Sequence, residues 1–147
     1  MEKVIRDIHN KFKLNFYKNI FNGFEDGENV LTLTERFTLE VIDSLDHPTI
    51  TELSNYLGIS QPNTTYKANE LIKKGYVIKK RDEFDKRRVR LYTTEKLGSY
   101  RTKRNLYVST LIQKINEYFP EEELKSLEAM LTTIEKELMP EIQTKNE

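Results

Sequence analysis

Val4, Ile5, Ile8, Phe12, Phe16 and Ile20 recur at steps of three and four residues, the period of a helix. A second stripe, Leu14, Tyr17, Phe21 and Phe24, runs beside the first. A helix that is apolar on more than one side is buried on more than one side, and one at the end of a small chain can hardly be enclosed by its own domain. The pattern predicts a helix over residues 3–22, shared with a partner subunit and broken by Gly23 and Gly27. Thr32-Leu33-Thr34-Glu35 has capping-box spacing. Phe37, Val41, Ile42 and Leu45 supply the stripe of a second helix, which Asp46-His47-Pro48 ends. Thr49-Ile50-Thr51-Glu52 repeats the box and opens a short helix through Leu57, interrupted by Gly58. Ser60 is placed to cap the next helix, with Pro62 in its first turn, where a missing N–H costs little. That helix runs to about Lys74, and Gly75 suits the C′ position.

The period then changes. Tyr76–Arg81 and Arg88–Thr93 read as strands, the second with Val89 and Leu91 on one face and Arg88, Arg90 and Tyr92 on the other. The run Asp82–Arg87 between them is polar apart from Phe84, which fits a β-hairpin with a charged tip. From Glu95 to Phe119 a helical stripe returns, and Pro120 breaks it. Glu121, Glu122 and Glu123 favour a new helix start through the macrodipole. Leu124, Leu127, Leu131, Ile134 and Leu138 then make a short a/d seam before Pro140 and a polar tail. The chain therefore reads as mainly α with a small β-hairpin.

Within this frame, Ile50–Leu71 is a helix, a tight turn (Leu57-Gly58-Ile59-Ser60) and a second helix of similar length: a helix-turn-helix. A charged hairpin follows at once. That succession describes the winged variant, in which the second helix enters a major groove and the hairpin reaches the backbone or minor groove.

Composition changes this picture in one respect. The 147 residues have zero formal net charge, but 14 basic and 5 acidic residues lie between Lys67 and Arg104, a local +9 that the rest of the chain offsets. A segregated basic region is the footprint of a polyanion binder. With no Cys there is no disulfide framework, thiol switch or zinc–thiolate site. No apolar run is long enough to span a membrane, and residues 1–10 lack a signal-peptide core, so the expected compartment is the cytoplasm.

The runs Leu57-Gly58-Ile59-Ser60, Leu71-Ile72-Lys73-Lys74-Gly75-Tyr76-Val77-Ile78, Asp85-Lys86-Arg87-Arg88 and Thr93-Thr94, with their flanking helices, resemble the multiple-antibiotic-resistance regulator (MarR) family. The resemblance implies a homodimeric winged-helix transcriptional regulator acting on a palindromic DNA duplex, often under a small-molecule effector. It implies a single domain over residues 1–147, with a DNA-binding lobe at 31–98. Helical dimerisation regions at 1–30 and 99–147 complete it. Thr64 and Lys67 depart from the family pattern, standing where larger apolar residues are usual, and the Thr94–Gly98 exit from the wing is one residue longer than usual. A buried Thr64 must bond its hydroxyl back to a carbonyl, and Lys67 can lay its stem on the core and send its ammonium to phosphate.

Base readout is expected from the helix that Ser60 caps, through Gln61, Asn63, Thr65, Tyr66 and Asn69. Gln and Asn pair with adenine and a Thr methyl packs on thymine, and no arginine is present for guanine, so an A·T-rich site is expected. In the wing, Arg87 is expected in the minor groove with Asp85 fixing its guanidinium, and Arg88 and Arg90 on phosphates. Three or four cations per subunit would give a slope of log affinity against log salt on the order of −5 to −7. Phe12, Phe16, Tyr17, Phe37, Tyr107 and Leu111 are candidates for an effector pocket, although aromatic residues at helical spacing equally form plain core. No cofactor is expected. Catalysis finds no nucleophile–base pair or phosphate-cradling loop. A metal-responsive regulator would have only His9 and His47 to build on. The remaining alternative is a helical dimerisation module that binds protein, using the acidic half from Asn105 onward.

Overall fold

The computed structural model describes residues 1–24 and 30–140. Gly27 and the tail beyond Pro140 lie outside the described residues. The elements follow in the order α1 (Glu2–Asn22), α2 (Leu33–Ser44), α3 (Ile50–Leu57), α4 (Gln61–Lys73), β1 (Val77–Arg81), β2 (Val89–Thr93), α5 (Gly98–Tyr118) and α6 (Glu121–Thr133). A 3₁₀ turn at Glu95–Leu97 leads into α5 and takes up the extra residue of the wing exit, burying Leu97 fully. A wider turn at Ile134–Leu138 continues α6. The fold is mainly helical with one two-stranded antiparallel hairpin, as the periodicities predict.

Local chemistry sets the boundaries. Thr32 and Thr49 each form a complete capping box with Glu35 and Glu52. Ser60 caps α4, with Pro62 in the first turn. α4 ends in a Schellman motif: the Gly75 N–H donates to Ile72 O at 2.9 Å and the Tyr76 N–H to Leu71 O at 3.0 Å. Gly58 (φ 65°) and Gly75 (φ 78°) occupy the left-handed region that these two helix ends require. Asp46 (φ 53°) and His47 (φ 60°) also lie there, back to back, between α2 and α3. The His47 ring stacks on Tyr92 of β2 at 3.9 Å, and its carbonyl accepts from Arg90 at 3.0 Å, so strand contacts hold the unusual backbone in place.

The core gathers Leu39 and Ile42 of α2, Leu53 of α3, Ala68 and Leu71 of α4, Val77 and Leu91 of the hairpin base, and Leu97 and Tyr100. Thr64 is fully buried, its hydroxyl donating to Ser60 O at 3.0 Å, which meets the need set by its burial. Ile20, Phe24 and Leu31 extend the core to the end of α1. There the Arg36 guanidinium of α2 donates to the Ile20 and Phe21 carbonyls at 2.9 and 2.8 Å, which suits the negative end of a helix.

The two strands pair from Val77↔Thr93 to Arg81↔Val89. Beyond the sequence reading, Thr49 bridges Arg90 and Pro48 O accepts from the Leu91 N–H at 2.9 Å, so the segment before α3 is tied to β2. Val89 shares a face with Leu91, yet Leu91 is buried and Val89 is exposed, because the hairpin leaves the core at that point. Among the described residues, no helix is long and apolar enough to cross a membrane.

Candidate nucleic-acid interface

The inner side of α4 is Thr64, Ala68 and Leu71, at steps of four and three. That spacing turns Tyr66, Asn69 and Lys73 outward, with Asn63 and Thr65 flanking them. Tyr66 is 64% exposed and Ser60, Gln61 and Asn63 are exposed, whereas Thr65 and Lys67 are half-buried. Ser60 is occupied as the cap. Gln61 Nε2 donates to Thr51 Oγ1 at 3.2 Å across the turn, which aligns its amide. Asn69 Oδ1 accepts from Lys79 Nζ of β1 at 3.0 Å, setting the first wing strand against the outward side of α4. The readout candidates and the wing therefore form one continuous surface.

In the wing, Asp85 does not hold the Arg87 guanidinium as expected. Its carboxylate accepts the Arg87 backbone N–H at 3.1 Å, and its carbonyl accepts from the Arg88 N–H at 2.9 Å, so it shapes the tip. The Arg87 side chain is left without an intrachain hydrogen bond or ion pair among the described residues. Arg90 also differs from expectation. It pairs with Asp82, donates to His47 O and lies 3.5 Å from Glu52, so it serves as the brace of the hairpin rather than as an outward cation. Arg88 is half free, bonded to Glu52 at 3.0 Å from an exposed position. Asp82 receives the Arg90 guanidinium first and then the backbone N–H groups of Asp85 and Phe84, which hold its carboxyl at about 2.

The sequence reading did not single out Asp82 and Glu52 for the site. Asp82 had a local signal, since an Asp at the start of a polar tip readily folds an Asx turn. The second role of Glu52, beyond its cap, depends on β2 arriving from 36 and 38 residues away and has no local signal.

The basic segment is less uniform than its charge implies. Lys74 is bound to Glu35 at 2.7 Å and Val30 O at 3.0 Å, Lys96 to Lys74 O at 2.7 Å, and Lys103 to Gly23 O at 3.3 Å. Arg101 and Arg104 of α5 are drawn into a buried acidic pair on α2. Arg101 donates to Asp43 at 2.6 Å and also pairs with Thr93, while Arg104 donates to Glu40 at 2.8 Å and Asp43 at 3.0 Å. Burial opposes the Asp43 charge, but Arg101, Thr93 and Arg104 prevail and hold its pKa at about 2. For Glu40, burial wins over Arg104 and the pKa is raised. The cations without intrachain partners among the described residues therefore include Arg81, Lys86 and Arg87 at the wing tip.

Of the six effector-pocket candidates, the five aromatic residues pack ring against ring. Phe12 meets Tyr107 edge to face at 5.6 Å, and Phe16 packs on Phe37 at 6.0 Å and on Tyr17 at 6.0 Å. The groove between α1 and α5, about 470 Å³, is lined by Asn15, Asn19, Asn22 and Lys103 together with Leu106 and Tyr107. Tyr107 is the member of the six that reaches it. Among the described residues, no group of three or more His, Asp or Glu is placed to hold a metal ion, and His9 and His47 lie on different elements.

A helix-turn-helix with a charged hairpin braced to its second helix defines a winged-helix protein. Residues 31–88 match the model of the MarR family. Solved structures share the fold over almost the whole chain. FabT of Streptococcus pneumoniae, solved in complex with DNA, is 24% identical with a TM-score of 0.54, covering 93% of this chain and 96% of its own. A MarR family protein from Bacillus stearothermophilus is 24% identical with a TM-score of 0.58, covering 93% and 91%. A transcriptional regulator from Thermotoga maritima is 19% identical with a TM-score of 0.59, covering 93% and 95%. No curated protein matches the chain. At these identities the structural likeness is one of fold, and the family match rests on the winged lobe. The winged lobe, residues 31–88, is thus similar to the MarR family.

Proposed function

We propose that this chain binds double-stranded DNA as a homodimer and represses transcription from the site it covers. Two copies would pair through α1, α5 and α6. Each would lay α4 in a major groove and its wing along the adjoining backbone and minor groove. The observation that carries this reading is the Asn69–Lys79 bond, which joins the outward side of α4 to a wing whose Arg81, Lys86 and Arg87 lack intrachain partners among the described residues. Gln61, Asn63, Thr65, Tyr66 and Asn69 are the residues for base edges. Their amides and methyl groups favour a palindromic, A·T-rich site. Lys67, Arg87 and Arg88 are the residues for phosphate and minor groove, with Asp85 shaping the turn that presents Arg87. A small-molecule effector, where one binds, would act by changing the spacing of the two α4 helices, which must match successive grooves.

Selection from random duplex DNA tests the proposal. We expect one enriched palindrome with half-sites about one helical turn apart, and an affinity that falls steeply with salt. Arg87→Ala should weaken binding to every duplex and lower the magnitude of the salt slope by about 2 per dimer, roughly 0.9 for each lost phosphate contact. Asn63→Ala should instead relax preference at one position, at about 1–3 kcal/mol. A chain that stays monomeric and binds no duplex at low salt would overturn the reading.

A further inference from the structure

We propose that Phe84 is a wedge that enters the minor groove and parts one base step beneath each wing of the bound dimer. The inference rests on the DNA reading above and adds a contact that no cation supplies. Phe84 is 99% exposed, at the far end of the hairpin. Tips of this kind are usually built from Gly, Asn, Asp, Ser or Pro, yet the run Asp82–Arg87 has no Gly or Pro and carries a full aromatic ring.

The ring stands on an ordered base. Asp82 Oδ1 accepts the backbone N–H of Phe84 at 2.8 Å and of Asp85 at 3.0 Å. The Asp82 N–H donates to Arg88 O at 2.9 Å, and the other Asp82 oxygen is held by Arg90, which is itself anchored on His47 O. The conformational cost of presenting the ring is thus met before any partner arrives.

Beside it stand Arg81, Lys86 and Arg87, cations without intrachain partners among the described residues. Unpaired cations around one apolar ring suit a partner that is anionic outside and offers flat apolar faces within. A stacked duplex has that character, and apolar side chains are known to part its steps from the minor groove. The bond from Lys79 of β1 to Asn69 sets the wing that carries this tip against the helix proposed to read bases, which favours DNA over an anionic lipid surface of similar chemistry. Pyrimidine–purine steps unstack most easily, so the parted step should be T-A or C-A.

The test uses the full chain and the duplex it selects from random DNA, with 2-aminopurine replacing adenine at successive positions under the wings. We expect a several-fold fluorescence rise at one step in each half-site. Phe84→Ala should abolish that rise and weaken binding roughly tenfold, the scale of one lost apolar burial. Phe84→Leu should retain part of both. Circular dichroism should be unchanged in either variant, because the side chain packs against nothing. A duplex bound with no brightened step, or one equally brightened by Phe84→Ala, overturns the wedge and leaves the DNA reading standing. Failure of the native chain to select or bind any duplex overturns both. Binding to phosphatidylserine vesicles that needs Phe84, with DNA binding that does not, overturns the wedge in favour of a lipid contact.

Discussion

Within the winged lobe, away from the wing tip, polar groups and charges are tied to partners in the same chain. Two capping boxes close α2 and α3, Thr64 returns its hydroxyl to Ser60, and Arg90 gathers Asp82, Glu52 and His47 around the hairpin base. α6 offers the contrast. None of its residues is buried, and Leu131 (55%) and Leu138 (67%) just beyond it face solvent, as do Ile5 on α1 and Ile112 on α5. Each such side chain gains roughly 1.5–3 kcal/mol on full burial. One region is largely finished by its own sequence, and the other keeps an apolar face exposed, the face assigned to a second copy in the proposed dimer.

The strongest way to break this contrast is to charge the unfinished side. Leu131→Glu combined with Ile134→Glu should turn a sedimenting dimer into a monomer and cost on the order of 100-fold in DNA affinity, since one half-site then binds without its neighbour. The far-UV helical signal of the lobe should survive. A double variant that still sediments as a dimer would place α6 outside the interface.

Next in size is the joint between the two regions, Asp43. Asp43→Ala takes the carboxylate from Arg101 and leaves Arg104 with Glu40 alone, both partly shielded, and should destabilise the chain by about 2–3 kcal/mol in urea unfolding. Its acid dependence has a definite sign. The folded carboxyl titrates at about 2, below the ordinary 3.8, so its stabilisation is full above that ordinary value and disappears as pH falls from 3.8 through 2. Glu40, raised by burial, acts the other way and eases as it takes up its proton. Native and Asp43→Ala proteins should therefore converge in stability near pH 2.

Smaller effects sharpen the picture of the lobe. Thr49→Ala removes one cap and should cost about 1 kcal/mol in thermal or urea unfolding. Glu52→Gln should cost less in stability, because its pair with Arg88 is exposed and Arg90 keeps Asp82, while loosening Arg88 and Arg90 together. Hydrogen exchange at the amides of β2 would register that loosening where melting does not.

Legibility followed the range of the interactions. Helix starts were readable because Thr32 and Thr49 meet their partners three residues on, and helix ends because Gly75 marks a motif spanning six residues. The winged order of elements followed from one change of period at Tyr76. Candidate readout residues lay on the helix where the spacing put them. What could not be read was the fate of the charges. Lys74 and Glu35 lie 39 residues apart, Arg101 and Asp43 58. Nothing local told these inward cations from Arg87, so the +9 of the sequence overstates the free positive charge of the surface. For the aromatic residues the spacing left pocket and plain core both open: Phe12 and Tyr107 meet as packed rings, and the groove beside them is lined in part by asparagines that periodicity had passed over.

The grip of Arg101 and Arg104 on α2 has a mechanical consequence. α5 spans 21 residues, about 30 Å, with the lobe clamped near its first turns and the exposed seam farther along. A tilt of only 5° at the seam end displaces the clamped end by nearly 3 Å on that length, and opposite tilts in the two copies of the proposed dimer would add. In the proposed dimer the helix would act as a crowbar with its load bolted on, so small strains between subunits would reach the reading heads magnified instead of dissipating in a hinge.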